Sequence, residues 1–329
     1  MPATSFAHYP KVSVVIVNWN GGDLLARCVA DLSLQTLPPH EVIIVDNASS
    51  DGSAQAVGQQ FPHVRVIEAG SNLGFAAGNN LAVRMASPDS SWIALLNPDA
   101  FPEPTWLQAL VEAAIQQPEF AIFGSCLVDA TTRNLLDGTG DAYHISGLVW
   151  REAHGQPITP EHQQSKEIFS TCAAAGLYRR DVFDALGGFD EDYFCYVEDI
   201  DLGFRYQLLG HRCLYVPTSI VYHVGSALTG KRSDFCVYYG HRNLVWTFVK
   251  DMPGLLFWLM LPLHLLLNLV TIAYFIKEGQ GKVILKAKRD ALLGLPGAWR
   301  KRQQIQSQRR ASLSDIWRLL NKNLSRSKN

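Results

Sequence analysis

The sequence predicts an α/β protein with a doubly wound, mostly parallel sheet, followed by an apolar helical segment that associates with a membrane. Three observations carry this. Short β-branched runs alternate with amphipathic helical patterns over the first hundred residues. Each run ends in Asn, Asp or Gly, as expected where buried parallel strands deliver loops to a ligand. Residues 252–276 are dominated by Leu, Ile, Val, Phe, Trp and Met and hold no charge.

Taken in order, residues 12–17 form the first strand and end in Asn18-Trp19-Asn20. A helix over 22–35 follows, with Leu24, Leu25, Cys28, Val29 and Leu32 at helical spacing, and Pro38-Pro39 stops it. Residues 42–46 form a second strand, the Asp51-Gly52 turn opens a helix over 52–60, and 64–67 form a third strand. A loop enters a helix between Gly74 and Met85; 93–96 is the fourth strand and 104–116 another helix. Beyond it, 120–127 and 171–178 read as strands. A short helix opens at Arg180, and an amphipathic helix over 199–209 ends at Gly210; 213–216 and 220–223 read as two short strands. Residues 130–168 carry no period and several Gly and Pro, which predicts a long loop near an acceptor.

Composition narrows the class. With 47% hydrophobic and 18% charged residues the chain is not disordered. The net charge of −1 hides an asymmetry: from Lys277 onward there are 14 Lys and Arg against 3 Asp and Glu, a net of +11, which leaves −12 for residues 1–276. An acidic body with a basic tail seeks an anionic surface, here a membrane rather than nucleic acid. The six cysteines show no CxxC spacing, which argues for reduced thiols in the cytosol. The N-terminal stretch has no apolar run, so no secretory signal is expected. Residues 252–276 are long enough to cross a bilayer, but Lys250 before them, five basic residues soon after, and Pro262 within favour an in-plane or re-entrant segment over a single span.

Four polar clusters carry the chemistry: Asn18-Trp19-Asn20, the loop Asp46-Asn47-Ala48-Ser49-Ser50-Asp51-Gly52-Ser53, Asn97-Pro98-Asp99, and Glu198-Asp199-Ile200-Asp201. Together with Asn72-Leu73-Gly74-Phe75-Ala76-Ala77-Gly78-Asn79-Asn80 and Tyr238-Tyr239-Gly240-His241-Arg242-Asn243 they resemble the inverting glycosyltransferase family 2, of GT-A fold. Within it they look most like bacterial rhamnosyltransferases. The likeness spans about residues 10–250. It implies a glycosyltransferase domain over 1–250, with a nucleotide-sugar half over 10–100 and an acceptor half over 101–250; residues 251–329 then form membrane-associating helices and a basic tail. No oligomeric state is implied.

The resemblance also implies roles. Asp46 would accept the imide N–H of uracil or thymine, with Asn18 and Asn47 beside it; its structural alternative is capping the turn before Gly52. Asn72, Gly74, Gly78 and Asn79 would offer amides to phosphate or ribose at a helix start. Asn97 stands where the family has the first aspartate of Asp-x-Asp and would face the ribose. Asp99 would ligate Mg²⁺ or Mn²⁺, completed by His223. Arg242 would contact the diphosphate. Asp199 would be the general base, with Glu198 the competing candidate, and Asp201 would cap the helix or pair with Arg205. Trp19 and Trp150 would stack on sugar faces or simply pack.

The implied reaction moves a sugar, L-rhamnose from dTDP-rhamnose by expectation, onto a lipid-linked or cell-surface glycan at the cytoplasmic face of a bacterial inner membrane. UDP- or GDP-sugar donors are the first alternative. A sugar nucleotidyltransferase would need a Gly- and Lys-rich loop where Asn18-Trp19-Asn20-Gly21-Gly22 stands, and a nicotinamide domain would need GxGxxG there. A membrane-tethered binding module would have no use for Asp199.

Overall fold

The computed structural model describes residues 9–225 and 232–323. Most of the N-terminal stretch read for a signal, and the last six residues of the basic tail, lie outside the described residues. The first half follows the expected alternation: β1 (Val12–Asn18), α1 (Gly22–Ser33), β2 (Glu41–Asp46), α2 (Ser53–Gln60), β3 (Val64–Glu68), α3 (Gly74–Met85) and β4 (Trp92–Leu96). Strands β3, β2, β1 and β4 lie side by side and parallel. β1 shows why its residues are apolar throughout. Val12, Val14 and Ile16 face one core, with Leu25 and Cys28 of α1, while Val15 faces the opposite core, with Ala76 and Val83 of α3. A strand covered on both faces has no polar alternation to display, and each such side chain stabilises the fold by roughly 1.5–3 kcal/mol.

The second half continues with β5 (Ala100–Pro102), α4 (Trp106–Gln116) and β6 (Phe120–Asp129), then β7 (Leu136–Gly138), β8 (Asp141–Tyr143), β9 (Val149–Arg151) and β10 (Lys166–Ile168). β11 (Ala175–Arg179), α5 (Arg180–Ala185), α6 (Glu198–Leu208) and β12 (Arg212–His223) complete it. The main sheet runs β10-β12-β6-β11-β4-β1-β2-β3, with β11 antiparallel between β4 and β6. The expected doubly wound, mostly parallel sheet is therefore present.

Two readings of the sequence are corrected. Residues 130–168 are not a structureless loop: they form β7 to β10 and a short 3₁₀ turn at Pro160–Gln163. Their strands have three residues each, too short to show a period, and β10 pairs at long range with β12. The two strands expected over 213–216 and 220–223 are one, β12, with a register irregularity between Val216 and Ile220.

Four long helices and a short one follow: α7 (Asp234–Asp251), α8 (Gly254–Lys277), α9 (Gly281–Leu293), α10 (Leu295–Gln308) and α11 (Leu313–Leu319). They close back on the sheet domain. Phe248, Phe257 and Ile316 share a core with Tyr143, Phe169 and Phe204. Beside it lies an ionic knot. Lys250, 2% exposed, contacts Asp190 and lies 2.5 Å from Asp201; Arg205 pairs with Asp201 at 2.8 Å; Lys301 contacts Asp190. The expected Asp201–Arg205 pair is thus one edge of a buried network. All six cysteines are free thiols.

Candidate active site

A cleft of about 870 Å³ opens at the carboxyl ends of β1 and β4, a volume suited to a nucleotide sugar. Trp19, Asn47, Asn72, Gly74, Asn97 and Asp99 line it from the first half, and Glu198, Asp199 and His223 from the second. Sequence reading missed the wall between them, Asp137, Asp141, Arg151 and His154, which comes from β7 to β9 and the turn after β9. Trp150 also lines the cleft.

The Asp99 side forms a chain of contacts. His223 Nε2 lies 3.4 Å from Asp99 Oδ1, and its Nδ1 lies 2.7 Å from Asp137 Oδ2. Arg151 donates to the same Asp137 oxygen at 2.5 Å, and His154 Nδ1 sits 3.3 Å from the other. Burial opposes charge on His223, yet its hydrogen bonds to Asp137 and Asp99 push its pKa up to about 9. Burial likewise opposes ionisation of Asp137, but His154, His223 and Arg151 together hold it well below the usual carboxylate range. Asp137 therefore fixes which way the His223 ring presents Nε2.

Across the cleft, Glu198 and Asp199 open α6. Asp199 accepts from the Ala173 amide at 3.2 Å and from its neighbour Ile200 at 2.8 Å. Burial raises its pKa despite those amides and the charge of Arg151. Burial, then the charge of Asp199, raise Glu198 well above its ordinary value, and Glu198 Oε2 is buried with no hydrogen-bond partner. Asp141 is raised for the same two reasons, and its Oδ2 also lacks a partner. Three carboxylates crowd one site, so they cannot all ionise at once without mutual cost.

The approach to α6 is strained. Phe194, Tyr196 and Val197 all have positive φ, at 64°, 69° and 70°, a rare conformation for bulky or β-branched residues. Three carbonyls of this turn, those of Tyr193, Cys195 and Tyr196, accept from the Asn243 side-chain amide at 2.7–3.0 Å. Arg242 donates to the carbonyls of Asp192 and Tyr193 at 2.8 and 3.0 Å and packs on Tyr239 and Trp246. Arg242, expected at the diphosphate, is not among the residues lining the cleft, and its fork rests on this turn. Asn243→Ala is expected to destabilise the chain by about 1–3 kcal/mol, because it strips donors from buried carbonyls. Chemical denaturation measures this, and an unchanged midpoint would rule out the clamp.

Other expected donor contacts are placed differently. Asp46 is buried; its Oδ1 accepts from Asn18 at 2.9 Å and from the Ser49 hydroxyl at 2.6 Å, and its Oδ2 accepts from the Ser49 amide at 3.0 Å. Neither Asp46 nor Asn18 lines the cleft; they lock the turn that presents Asn47. Asn47 donates to the Gly74 carbonyl at 2.9 Å. The first amides of α3 are not free: the Phe194 carbonyl takes those of Phe75 and Ala76 at 2.7 and 3.2 Å, and Asn72 Oδ1 takes that of Gly74 at 2.9 Å. Gly74, at φ +79°, permits this approach, since a Cβ would sit 2.5 Å from the Phe194 oxygen. Gly78 and Asn79 do not themselves line the cleft, but Gly78 packs directly behind Val17 and Asn47, which do. A Cβ on Gly78 would press to 2.8 Å from Val17, so this glycine lets α3 pack on β1, and Asn79 bonds back to the Phe75 carbonyl.

Comparison with known proteins follows the same lines. Residues 13–187 match the family described as Glycosyl transferase family 2. The chain is 31% identical over 246 residues to the N-acetylglucosaminyl-diphospho-decaprenol L-rhamnosyltransferase of Mycobacterium tuberculosis, covering 66% of this chain and 77% of that one. It is 27% identical over 222 residues to the rhamnosyltransferase WbbL of Escherichia coli, covering 64% and 83%. In fold it is similar to the mannosyltransferase PcManGT of Pyrobaculum calidifontis, solved with GDP-Man and Mn²⁺, at TM-score 0.53 and 18% identity over 93% of this chain and 86% of that one. It is also similar to GalNAc-T7, solved with UDP, GalNAc and Mn²⁺, at TM-score 0.59 and 18% identity over 74% and 48%.

Proposed function

Because the chain belongs to glycosyltransferase family 2, we propose that it transfers L-rhamnose, with inversion, from dTDP-rhamnose to a hydroxyl of a lipid-linked glycan. The observation that carries this is the cleft itself, with Asp99 and His223 on one side and the raised carboxylate of Asp199 on the other. The rhamnosyl donor and lipid-linked acceptor are inferred from the relatives, two of which are named as rhamnosyltransferases, one acting on a diphospho-decaprenol carrier. With such an acceptor we infer that the reaction runs at the cytoplasmic face of a bacterial inner membrane.

Each residue has a task. Asn47, Asn72 and Asn97 line the donor side, where their amides can bond ribose and sugar hydroxyls. Asp199 takes the acceptor proton as the new bond forms, and its raised pKa brings it closer to the operating pH than an ordinary aspartate. Asp99 and His223 would hold Mg²⁺ or Mn²⁺ once His223 gives up the Nε2 proton that faces Asp99, with Asp137 holding the other ring nitrogen and diphosphate oxygens filling the remaining positions. When bound, the ion supplies Lewis-acid stabilisation of the leaving diphosphate.

Calorimetry with dTDP-, UDP- and GDP-sugars tests the donor; tightest binding of a UDP- or GDP-sugar would displace the rhamnosyl reading. Nucleoside diphosphate binding is expected to strengthen with Mg²⁺ or Mn²⁺, and Asp99→Ala is expected to remove that gain. Equal affinity of the parent protein in chelator would rule out the ion's role.

A further inference from the structure

The apolar helix α8 shows one face to solvent and one to protein. Leu255, Trp258, Leu259, Leu266, Leu269 and Val270 are exposed, at the three- and four-residue spacing of one helical stripe. Leu256, Phe257 and His264 on the other face are buried. His264, near the middle of the helix, stacks on Phe248 at a centroid distance of 4.0 Å, and its Nδ1 lies 2.7 Å from the Ser146 carbonyl in the β8–β9 turn. Only 17% of the most apolar 18-residue window is buried, so α8 is no core helix. A soluble surface rarely carries so long an uncharged stripe without a partner.

What flanks α8 decides how that partner is met. A single span would put the sheet domain and residues 281–323 on opposite sides of a bilayer. Yet the two are fastened together. Lys301 reaches Asp190, Arg302 donates to the carbonyl of Val249 at 2.8 Å, and Tyr238 bonds Asp290 at 2.8 Å. Arg310 donates its backbone amide to the Leu208 carbonyl at 2.9 Å, and Asn321 donates its own to Tyr143 at 2.8 Å. None of these contacts survives a membrane drawn through α8. Lys277 at the end of α8, and Lys282, Lys286 and Arg289 on α9, are exposed and complement an anionic surface.

We propose that α8 is an in-plane anchor, with its exposed stripe sunk into one leaflet of an anionic bilayer and both ends of the chain on the same side. Phe275 on α8 lines the catalytic cleft and meets the His241 ring at 4.8 Å. The anchor therefore holds the cleft mouth at the headgroup level, where a lipid-linked acceptor presents its sugar while its tail stays in the membrane. This use of the anchor rests on the acceptor proposed above; the anchoring itself does not.

The test adds full-length protein, tagged at either end, to preformed vesicles of phosphatidylglycerol and phosphatidylethanolamine. Binding is expected, and both tags should remain open to trypsin. The double substitution Leu266→Asp and Leu269→Asp, on exposed positions, should weaken vesicle binding at least about tenfold while leaving dTDP binding in solution unchanged. A C-terminal tag protected inside the vesicles means a span and overturns the proposal. Failure to bind vesicles also overturns it; a doubled mass in solution would then identify a second copy as the partner of the stripe. Vesicle binding without dTDP-sugar binding would leave the anchor standing and refute only the rhamnosyl reading.

Discussion

Asp199→Asn is expected to lower turnover by roughly 10²–10⁴-fold, the usual share of general base catalysis, and to leave donor affinity close to that of the parent. The substitution keeps the shape of the side chain and one of the two oxygens that accept from the Ala173 and Ile200 amides, but removes the basicity. Its effect belongs to the transition state, when the acceptor hydroxyl gives up its proton, so KM for donor should hardly move. Glu198→Gln is the matched control. Glu198 is the more deeply perturbed of the two and has an unpartnered oxygen, so a negligible Asp199→Asn effect beside a dead Glu198→Gln enzyme would transfer the role. If both variants turn over normally, neither carboxylate is the base.

Lys250→Met destabilises the fold by about 3–5 kcal/mol, because it leaves buried carboxylates short of their cation. Lys250 stands between Asp190 and Asp201 with almost no exposure, and Arg205 and Lys301 cannot replace it at that point. Urea denaturation of the full chain reads the loss, and an unchanged midpoint would show that the knot is redundant. The pH dependence has a definite sign. Burial opposes ionisation of both acids, but Arg205 and Lys250 hold Asp201 low, and Lys250 leads the groups that hold Asp190 low. A depressed folded pKa gives stability that is present above the unfolded value of about 3.9 and is lost as pH falls toward the folded value. The parent should therefore weaken steeply below about pH 4, and Lys250→Met should weaken less steeply there.

The legible part of this chain is the part whose reasons are local. β1 to β4 announce themselves because strands covered on both faces must be apolar at every position. Asp99, Glu198 and Asp199 were found because they end such a run or open a helix. What escaped depends on distant partners. β5 has three residues and reads as the tail of Asn97-Pro98-Asp99. Asp137 and Asp141 sit among Gly138 and Gly140, and turn chemistry masked two carboxylates whose places are set by β6 and by Ser170. A signal was present: two acids four apart, within twelve residues of the end of a long buried strand. Arg242 was legible as a residue that matters, but its partners are carbonyls fifty residues earlier, which no spacing reveals. The return of α9 to α11 onto the sheet domain was equally hidden, since a basic run looks the same whether it packs on a protein or floats free.

That return has a consequence for how the chain is made. Lys301 and Asp190 are 111 residues apart, which at ribosomal speed is roughly 6–20 s. In that interval the 24 residues of α8 leave the ribosome before the clasp that fixes them exists. An insertion apparatus meeting the nascent chain would then see a segment long enough to thread. His264 and Asn268 are costly at bilayer depth and weigh against threading while the chain is incomplete. If α8 is the in-plane anchor proposed above, slowing translation of the residues after it is expected to raise the fraction of molecules threaded across a membrane.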